Sequence, residues 1–429
     1  MSVRAHVDVV DSPGFPGEPV AAAFLTCTRA HSGGTVPDSH RVPQLTTSPD
    51  PTWLTPMLGA VPSRQIHDRC PGVLRPFAAD DGAIVRLRLP GGRTDTTELV
   101  DISALAEEFG APFVQLTSRG NLQLRGLPEP LPEPFVRTVE RLGLLPSATH
   151  ERVRNIVADP SPELDWLVSE LDDRLQRDDA LATLPGRWLF ALSDEMGPSL
   201  DAPYDVAFQQ FSPTSGRLLA GRQSRPCSPA EAVSALLDVA NRFLAVRESE
   251  AVWNLRDLPA NSPVFDGFDD DDDGGGDTTT AEHGRGSDPT GVSSVELTEL
   301  GVPLGFLTPV LADALVATLG SSARIVVTPH RSLVLPADTS PEALDELIAA
   351  GFHCATDPRR RVTACIGAPF CRRTDSPTVE IARTTPAPEA DGRLHIVGCE
   401  RACGRPTSTH TLVVAPRSAD DVADARGDR

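Results

Sequence analysis

A pattern that occurs twice sets the narrowest limits on how this chain can fold. In the first copy the alternating strand GAIVRLRLP leads to the helix DISALAEEFG. That helix gathers Ile102, Leu105, Ala106 and Phe109 on one face and stops at Gly110, before the strand pair FVQLTSRGNLQLRG. In the second copy, LTPVLADALVATLG carries Thr308 as helix N-cap and Pro309 at the first helical position. It turns Leu311, Leu315 and Leu319 inward, stops at Gly320 and leads into RIVVTPHRSLVLP. Thr117 matches Thr328, 211 residues on. Each copy is followed by a longer α/β stretch. The first holds the helix SPAEAVSALLDVANRFLAV, with Ser228 and Glu231 as a capping box and Pro229 at its start, and the second opens on SPEALDELIAAG.

Between the copies lies FDGFDDDDDGGGDTTTAEHGRGSDPTG, whose aspartate run and glycines cannot bury apolar surface. It reads as a surface linker. The expected organisation is a poorly ordered extension over 1–66, a first half-unit over 67–130, an α/β unit over 131–256, the linker over 257–292, a second half-unit over 293–338 and a final α/β unit over 339–429. Of the net charge of −21, residues 257–290 contribute ten carboxylates against one arginine, and an acidic chain is a poor partner for nucleic acid. No apolar run is long enough to span a membrane and no secretory leader opens the sequence, so a soluble cytoplasmic protein is expected. All 39 basic residues are arginine, which leaves no lysine for Schiff-base or general-base chemistry.

Period-2 geometry puts Arg86 and Arg88 together, opposite Ala83, Val85, Leu87 and Leu89. In the strand pair that follows, Gln115, Thr117, Arg119, Asn121, Gln123 and Arg125 share one face, with Gly120 as a candidate bulge. Arg154 and Asn155 stand just before the apolar run IVA. Arginine forks with amide neighbours suit carboxylates or phosphates, although a solvated sheet face would show the same alternation.

Eight cysteines are few for 429 residues, yet four form two close pairs: Cys365 with Cys371, and Cys399 with Cys403. Thiolates in such pairs suit zinc, Cu(I) or an iron–sulfur cluster. The five-residue gap between Cys365 and Cys371 is wide for zinc, whereas a [4Fe–4S] cube tolerates wider loops, and Gly367, Pro369, Gly398 and Gly404 let backbone wrap the sulfurs. Cys27, Cys70, Cys227 and Cys354 have no comparable spacing and read as structural.

Taken together, these residues resemble the sulfite and nitrite reductase superfamily. The Cys-x5-Cys and Cys-x3-Cys pairs follow two half-units, VRLRLPGG is similar to that family's arginine-bearing strand, LTSRGNLQLRG to its LTxRQNxQxHG segment and VRNIVADP to its xRNVxxxP loop. The likeness spans roughly residues 67–415. It implies an α+β fold in which two ferredoxin-like half-domains pair pseudo-symmetrically beside two α/β domains, the second carrying a [4Fe–4S] cluster on Cys365, Cys371, Cys399 and Cys403.

Within the superfamily, DRCPGVLRPFAADDGAIVRLRLPGG, TPHRSLVLP, VTACIGAPFC and HIVGCERACGRP are similar to the precorrin-3B synthase branch. That likeness implies O2-dependent C20 hydroxylation of precorrin-3A with γ-lactone formation, the cluster feeding electrons to an iron centre. It implies a tetrapyrrole surface made by Arg86, Arg88, Arg119, Asn121, Gln123, Arg154, Asn155 and Arg187. Reductases of the superfamily carry two lysines where LPGRWLFALSD has Arg187 and then Leu189. A sirohaem-dependent sulfite or nitrite reductase is the alternative, and a non-catalytic iron–sulfur or tetrapyrrole-binding protein a third reading. Nothing in the sequence identifies a catalytic residue. His330 and His395 are the candidates for a mononuclear non-haem iron, and without a GxGxxG fingerprint the electron donor stays unnamed.

Overall fold

Two short strands tie the duplicated halves together. The computed structural model describes residues 68–270, 298–388, 392–406 and 408–426. The expected extension over 1–66, Cys27 and most of the acidic linker lie outside them. The first half comprises β1 (Phe77–Ala79), β2 (Gly82–Leu87), β3 (Arg93–Asp95), α1 (Thr96–Phe109), β4 (Val114–Leu116), β5 (Leu122–Leu127) and α2 (Glu133–Arg141). After an α/β unit, β6 (Ile156–Ala158), α3 (Asp165–Arg177), β7 (Phe190–Ser193), β8 (Val206–Gln210), β9 (Gly216–Ala220), β10 (Gln223–Pro226), α4 (Pro229–Val246) and β11 (Asp269–Asp270), comes the second half. It holds β12 (Glu299–Gly301), β13 (Phe306–Leu307), α5 (Pro309–Leu319), β14 (Arg324–Val327), β15 (Ser332–Val334) and α6 (Pro341–Ala350). The last unit has β16 (Val362–Ala364), α7 (Thr378–Thr384), β17 (Leu394–Val397), β18 (Thr411–Val414) and α8 (Ala419–Arg426).

The halves exchange edge strands. One sheet runs β1-β2-β5-β4-β13 and the other β12-β15-β14-β3, so each half contributes a strand to its partner's sheet. β3 pairs antiparallel with β14, Arg93 facing Val326, and β13 pairs antiparallel with β4, Phe306 facing Gln115. Helices α1 and α5 pack together, and Leu99, Ile102, Leu311 and Leu315 share one core with Val85, Leu87, Leu122, Leu124, Ile325 and Leu333 from both sheets. Each leucine so buried is worth about 2 kcal/mol. Helix α1 starts earlier than DISALAEEFG because the Asp95 carboxylate caps it, accepting from the Glu98 amide at 2.9 Å. Thr308 and Gly320 bound α5 as the sequence implied.

The duplication extends to backbone conformation. After Pro90 and Pro303, Gly91 (φ 60°) and Leu304 (φ 55°) are both left-handed, and after Thr117 and Thr328 so are Gly120 (φ 63°) and Arg331 (φ 61°). Each threonine hydroxyl accepts from its own turn, Thr117 from the Asn121 amide and Thr328 from the His330 amide. Gly120 therefore makes a turn between β4 and β5. The register irregularity is in β2, between Ala83 and Val85.

Three expected boundaries shift because packing overrides them. Phe135, Val139, Leu144 and Leu145 belong to the core of the halves, as do Leu347 and Phe352, so α2 and α6 complete the half-domains. Residues 257–270 are folded rather than linker: Val264 is fully buried in the α/β core and β11 pairs with β10.

The first α/β unit is a six-stranded sheet, β11-β10-β9-β8-β7-β6, parallel over β6, β7 and β8 and antiparallel beyond. Leu167, Leu171, Leu236 and Phe243 from α3 and α4 pack with Trp188 and Phe190. Helix α4 has the expected capping box. The last unit is a parallel sheet, β16-β17-β18, that docks on the halves through Phe113, whose ring meets Phe306 and Phe370 edge-on at 5.0 and 5.4 Å. Val422 of α8 is fully buried there, so the polar C-terminal segment does pack.

Gly92 (φ 73°) tests the seam between the halves, because a Cβ there would lie 2.1 Å from the Val327 carbonyl oxygen of β14. Gly92→Ala should destabilise the fold by about 2 kcal/mol or more in denaturant titration, and an unchanged midpoint would show that the halves do not touch there.

Candidate functional site

The polar face of the first sheet organises its charge through a ladder of side chains. Arg86 on β2 donates to Gln123 Oε1 on β5 at 2.8 Å, and Gln123 Nε2 donates to Gln115 Oε1 on β4 at 2.9 Å. The opposite face of the same strands is core, so alternation alone sends these three to one side. Arg119, in the turn after β4, donates to the Arg187 carbonyl at 2.9 Å, joining this sheet to the chain that enters β7. Arg86 and Arg119 lie within electrostatic reach of each other and each of them within reach of Arg88 and Arg187. Burial lowers the pKa of Arg86 and Arg119, and Arg187 lowers both further, while Cys70 acts in the other direction. Among the described residues none of these four guanidinia pairs with a carboxylate. Arg86 Nε, Arg88 Nη2 and Asn121 Nδ2 are buried donors with no protein partner.

Other arginines are neutralised. Arg125 forms a two-pronged pair with Asp81 at 2.7 and 3.0 Å, and Arg154 pairs with Asp172 at 2.7 Å on both prongs. Arg154 is 5% exposed, so this expected substrate residue instead ties the segment before β6 to α3. Asn155 is likewise buried, its amide bonding to the Arg152 and Gly186 carbonyls.

Arg88 does not share the open face with Arg86. It lies past the end of β2, 1% exposed, and donates to Asn155 Oδ1 and the Pro71 and Arg86 carbonyls. Burial, then Arg86, pulls its pKa down to about 9, so it keeps its charge at neutral pH. Asn121 is also buried and accepts from the Leu89 amide at 3.0 Å. These two position the cleft from behind. Leu189 is fully buried with Val157, Ala191, Ala207 and Leu219 and brings no charge.

The sequence did not point to the strap packed beside these arginines. Residues 68–75 are held by Asp68, whose carboxylate accepts from the Cys70 and Gly186 amides, and by Glu151, which accepts from the Val73 and Leu74 amides. Arg88 grips the same strap at Pro71, which sets the Cys70 thiol among Arg86, Arg88 and Arg119. Burial and then Asp68 push that thiol up while Arg86 and Arg88 pull it down. The turn signal in DRCPG was the available clue. Asp205 was also missed: fully inside, it accepts from the Leu189 and Leu255 amides and from Asn254 Nδ2, and burial raises its pKa to about 6.

The four paired cysteines converge in the last unit. All are free thiols; Cys365, Cys371 and Cys399 are half-buried and Cys403 is exposed. Burial pushes the Cys403 thiol up, Arg401 pulls it down, and Cys365, Cys399 and Cys371 push it up again, which puts all four sulfurs in one neighbourhood. Yet among the described residues no three His, Cys, Asp or Glu side chains are close enough to share one ion. Four thiols in one neighbourhood are a donor set for a soft metal or an iron–sulfur cluster. The Gly398 amide donates to Cys365 Sγ at 3.2 Å, a bond of the kind that stabilises cluster sulfur. A Cβ on Gly367 or Gly398 would strike Thr378 or Thr374 at 2.3 Å, so the loops close on the sulfurs only with glycine there. The donor set fits a [4Fe–4S] cluster.

The two histidines do not form a metal site. His330 is exposed in its turn. His395 is fully buried, with Nδ1 on Thr363 Oγ1 at 2.9 Å and Nε2 on the Cys403 carbonyl at 3.3 Å, so both ring nitrogens are engaged in holding the cysteine loop.

Against known proteins, residues 78–137 match the family model described as the nitrite/sulfite reductase ferredoxin-like half domain. A curated relative named precorrin-3B synthase, from Sinorhizobium sp, is 26% identical over 400 residues, covering 85% of this chain and 84% of its own. Among solved structures, the NirA protein of Mycobacterium tuberculosis aligns with a TM-score of 0.52 at 17% identity, over 75% of this chain and 69% of its own, a likeness of fold.

Asp205 gives the site a measurable pH signature. Its folded pKa of about 6 lies above the usual carboxylate value, so the native chain holds the proton more tightly than the unfolded one and stability falls as pH rises. Compared with Asp205→Asn, the wild type should lose about 2 kcal/mol of relative stability between pH 4 and pH 6. A difference that stays flat across that window would contradict the buried carboxyl.

Proposed function

We propose that this chain, which has the fold and the ferredoxin-like half domain of the nitrite and sulfite reductase superfamily, converts precorrin-3A to precorrin-3B with O2 and two electrons from an external donor, one oxygen atom going to C20 and the other leaving as water as the ring A acetate closes a γ-lactone. The observation that carries this reading is the sorting of arginines. Arg93, Arg125 and Arg154 form ion pairs with aspartates, whereas Arg86, Arg88, Arg119 and Arg187 form none among the described residues, the charges of Asp68, Glu151 and Asp205 acting on three of them only from beyond contact. Holding like charges together in a half-dry cleft is costly. A macrocycle rimmed with acetates and propionates offsets that cost at several points, which a small anion does at only one. The precorrin-3B synthase relative, matched over most of both chains, supports the same substrate.

In this reading Arg86, Arg119 and Arg187 take peripheral carboxylates. The Gln115–Gln123 ladder holds the fork of Arg86 at a fixed angle, and Arg88 keeps the strap closed over one edge. Cys365, Cys371, Cys399 and Cys403 would hold the cluster, whose chemistry is one-electron transfer. The docked rings of Phe113, Phe306 and Phe370 set the cysteine unit against the half-domains. Because His395 is engaged and His330 lies exposed in a separate turn, no step is assigned to a mononuclear iron.

Anaerobically purified protein should show the broad absorbance of an iron–sulfur cluster without sirohaem bands, and should consume precorrin-3A only when O2 and a one-electron reductant such as dithionite-reduced ferredoxin or dye are both supplied. Sirohaem bands with sulfite or nitrite turnover would replace this reading by the reductase. Cys371→Ser should abolish the cluster absorbance together with bound iron and sulfide. Arg86→Ala should weaken tetrapyrrole binding about tenfold or more, the usual cost of a lost charged hydrogen bond, and unchanged binding would remove Arg86 from the cleft.

A further inference from the structure

The carboxylate of Asp205 is the meeting point of two segments that reach the cleft. Its Oδ2 accepts from the Leu189 amide at 2.9 Å and from Asn254 Nδ2 at 3.1 Å, and its Oδ1 accepts from the Leu255 amide at 2.8 Å. Those bonds fix the residues that follow Arg187 and Trp253 in the chain. Arg187 places its guanidinium over the Trp253 ring, 5.0 Å from the centroid, and its carbonyl accepts from Arg119. The indole is itself anchored, with Nε1 donating to the Glu250 carbonyl at 2.8 Å and its backbone amide donating to Asp257. Arg187 is exposed, and an exposed arginine ordinarily samples many rotamers whose loss opposes binding. Stacking on a fixed indole removes much of that freedom before any ligand arrives.

We propose that Asp205 is a positioning residue for tetrapyrrole binding: it locks the 187–189 and 253–255 segments together, so that Arg187 and Trp253 form one prearranged guanidinium–indole unit that takes a peripheral carboxylate of the macrocycle beside Arg86 and Arg119. This rests on the tetrapyrrole reading above. Asp205 touches no ligand in this scheme; it aligns the pair, and its charge also reaches Arg119. A buried carboxylate is an expensive way to join two loops, since water is lost from the charge. Its three donors all come from those segments, which gives the expense a purpose.

The test uses the full chain and uroporphyrin I, an octacarboxylate tetrapyrrole, as an equilibrium probe followed by its own absorbance and by tryptophan quenching. Trp253→Ala and Asp205→Asn should each weaken binding about fivefold to tenfold. Trp253→Phe should recover most of the affinity, and Asp205→Asn added to Trp253→Ala should weaken it no further. Independent, multiplying losses in the double variant would make Asp205 merely structural and overturn the proposal, as would Asp205→Asn binding like wild type. If Asp205→Asn does not fold, Trp253→Ala at its half-buried site outside the cores still decides, because unchanged affinity there removes the pair. Loss of binding in Arg86→Ala with no effect of these variants overturns the positioning role and leaves the cleft standing. Failure of unaltered protein to bind the probe overturns both.

Discussion

The exchange of β3 and β13 between the two halves is the constraint on which the rest of the molecule depends. Neither half closes its sheet without a strand from the other, and α1 and α5 bury their apolar faces mainly against each other. That seam determines where the turn after β4 points, and with it Arg119. It also brings Phe306, a residue of the second half, beside Phe113 of the first, which makes the aromatic platform where the cysteine unit docks. Cleft and cysteine loops are therefore held by one piece of packing, although they are far apart in the sequence.

Charge is distributed on that frame by cost. A guanidinium drawn out of water needs a partner, and Arg93, Arg125 and Arg154 each have an aspartate within hydrogen-bond distance. Arg88, fully buried, spends its donors instead on Asn155 and on two backbone carbonyls, so it holds the strap in place without an ion pair.

The fold was legible in the sequence where local rules decide. Thr308 and Gly320 bound α5, Ser228 and Glu231 cap α4, and the matched Thr117 and Thr328 turns recur in the backbone. Domain edges were not legible, because α2 and α6 owe their place to Phe135 and Leu347 packing into the core of the halves beside α1 and α5, which no local signal announces. In the site, period-2 alternation placed Arg86, Gln115 and Gln123 correctly but misjudged Arg88 and Asn121, which lie just beyond strand ends where alternation stops applying. Arg154 looked free because its partner Asp172 is on the next helix. Asp205 carried no motif; its importance comes entirely from three donors that the fold brings to it.

Arg331 carries one more consequence. It occupies the left-handed position that Gly120 fills in the first half, and its guanidinium reaches the Gly404 carbonyl, next to Cys403. Backbone strain on a non-glycine residue costs about 1 kcal/mol there. The same hairpin is thus used for two tasks: one copy shows Arg119 to the cleft, the other reaches the cysteine loop. Because a single internal symmetry relates the two copies, a shift of one half against the other alters the approach to the macrocycle and the support of the thiols in concert. Cleft and thiol loop are in this sense geared to each other.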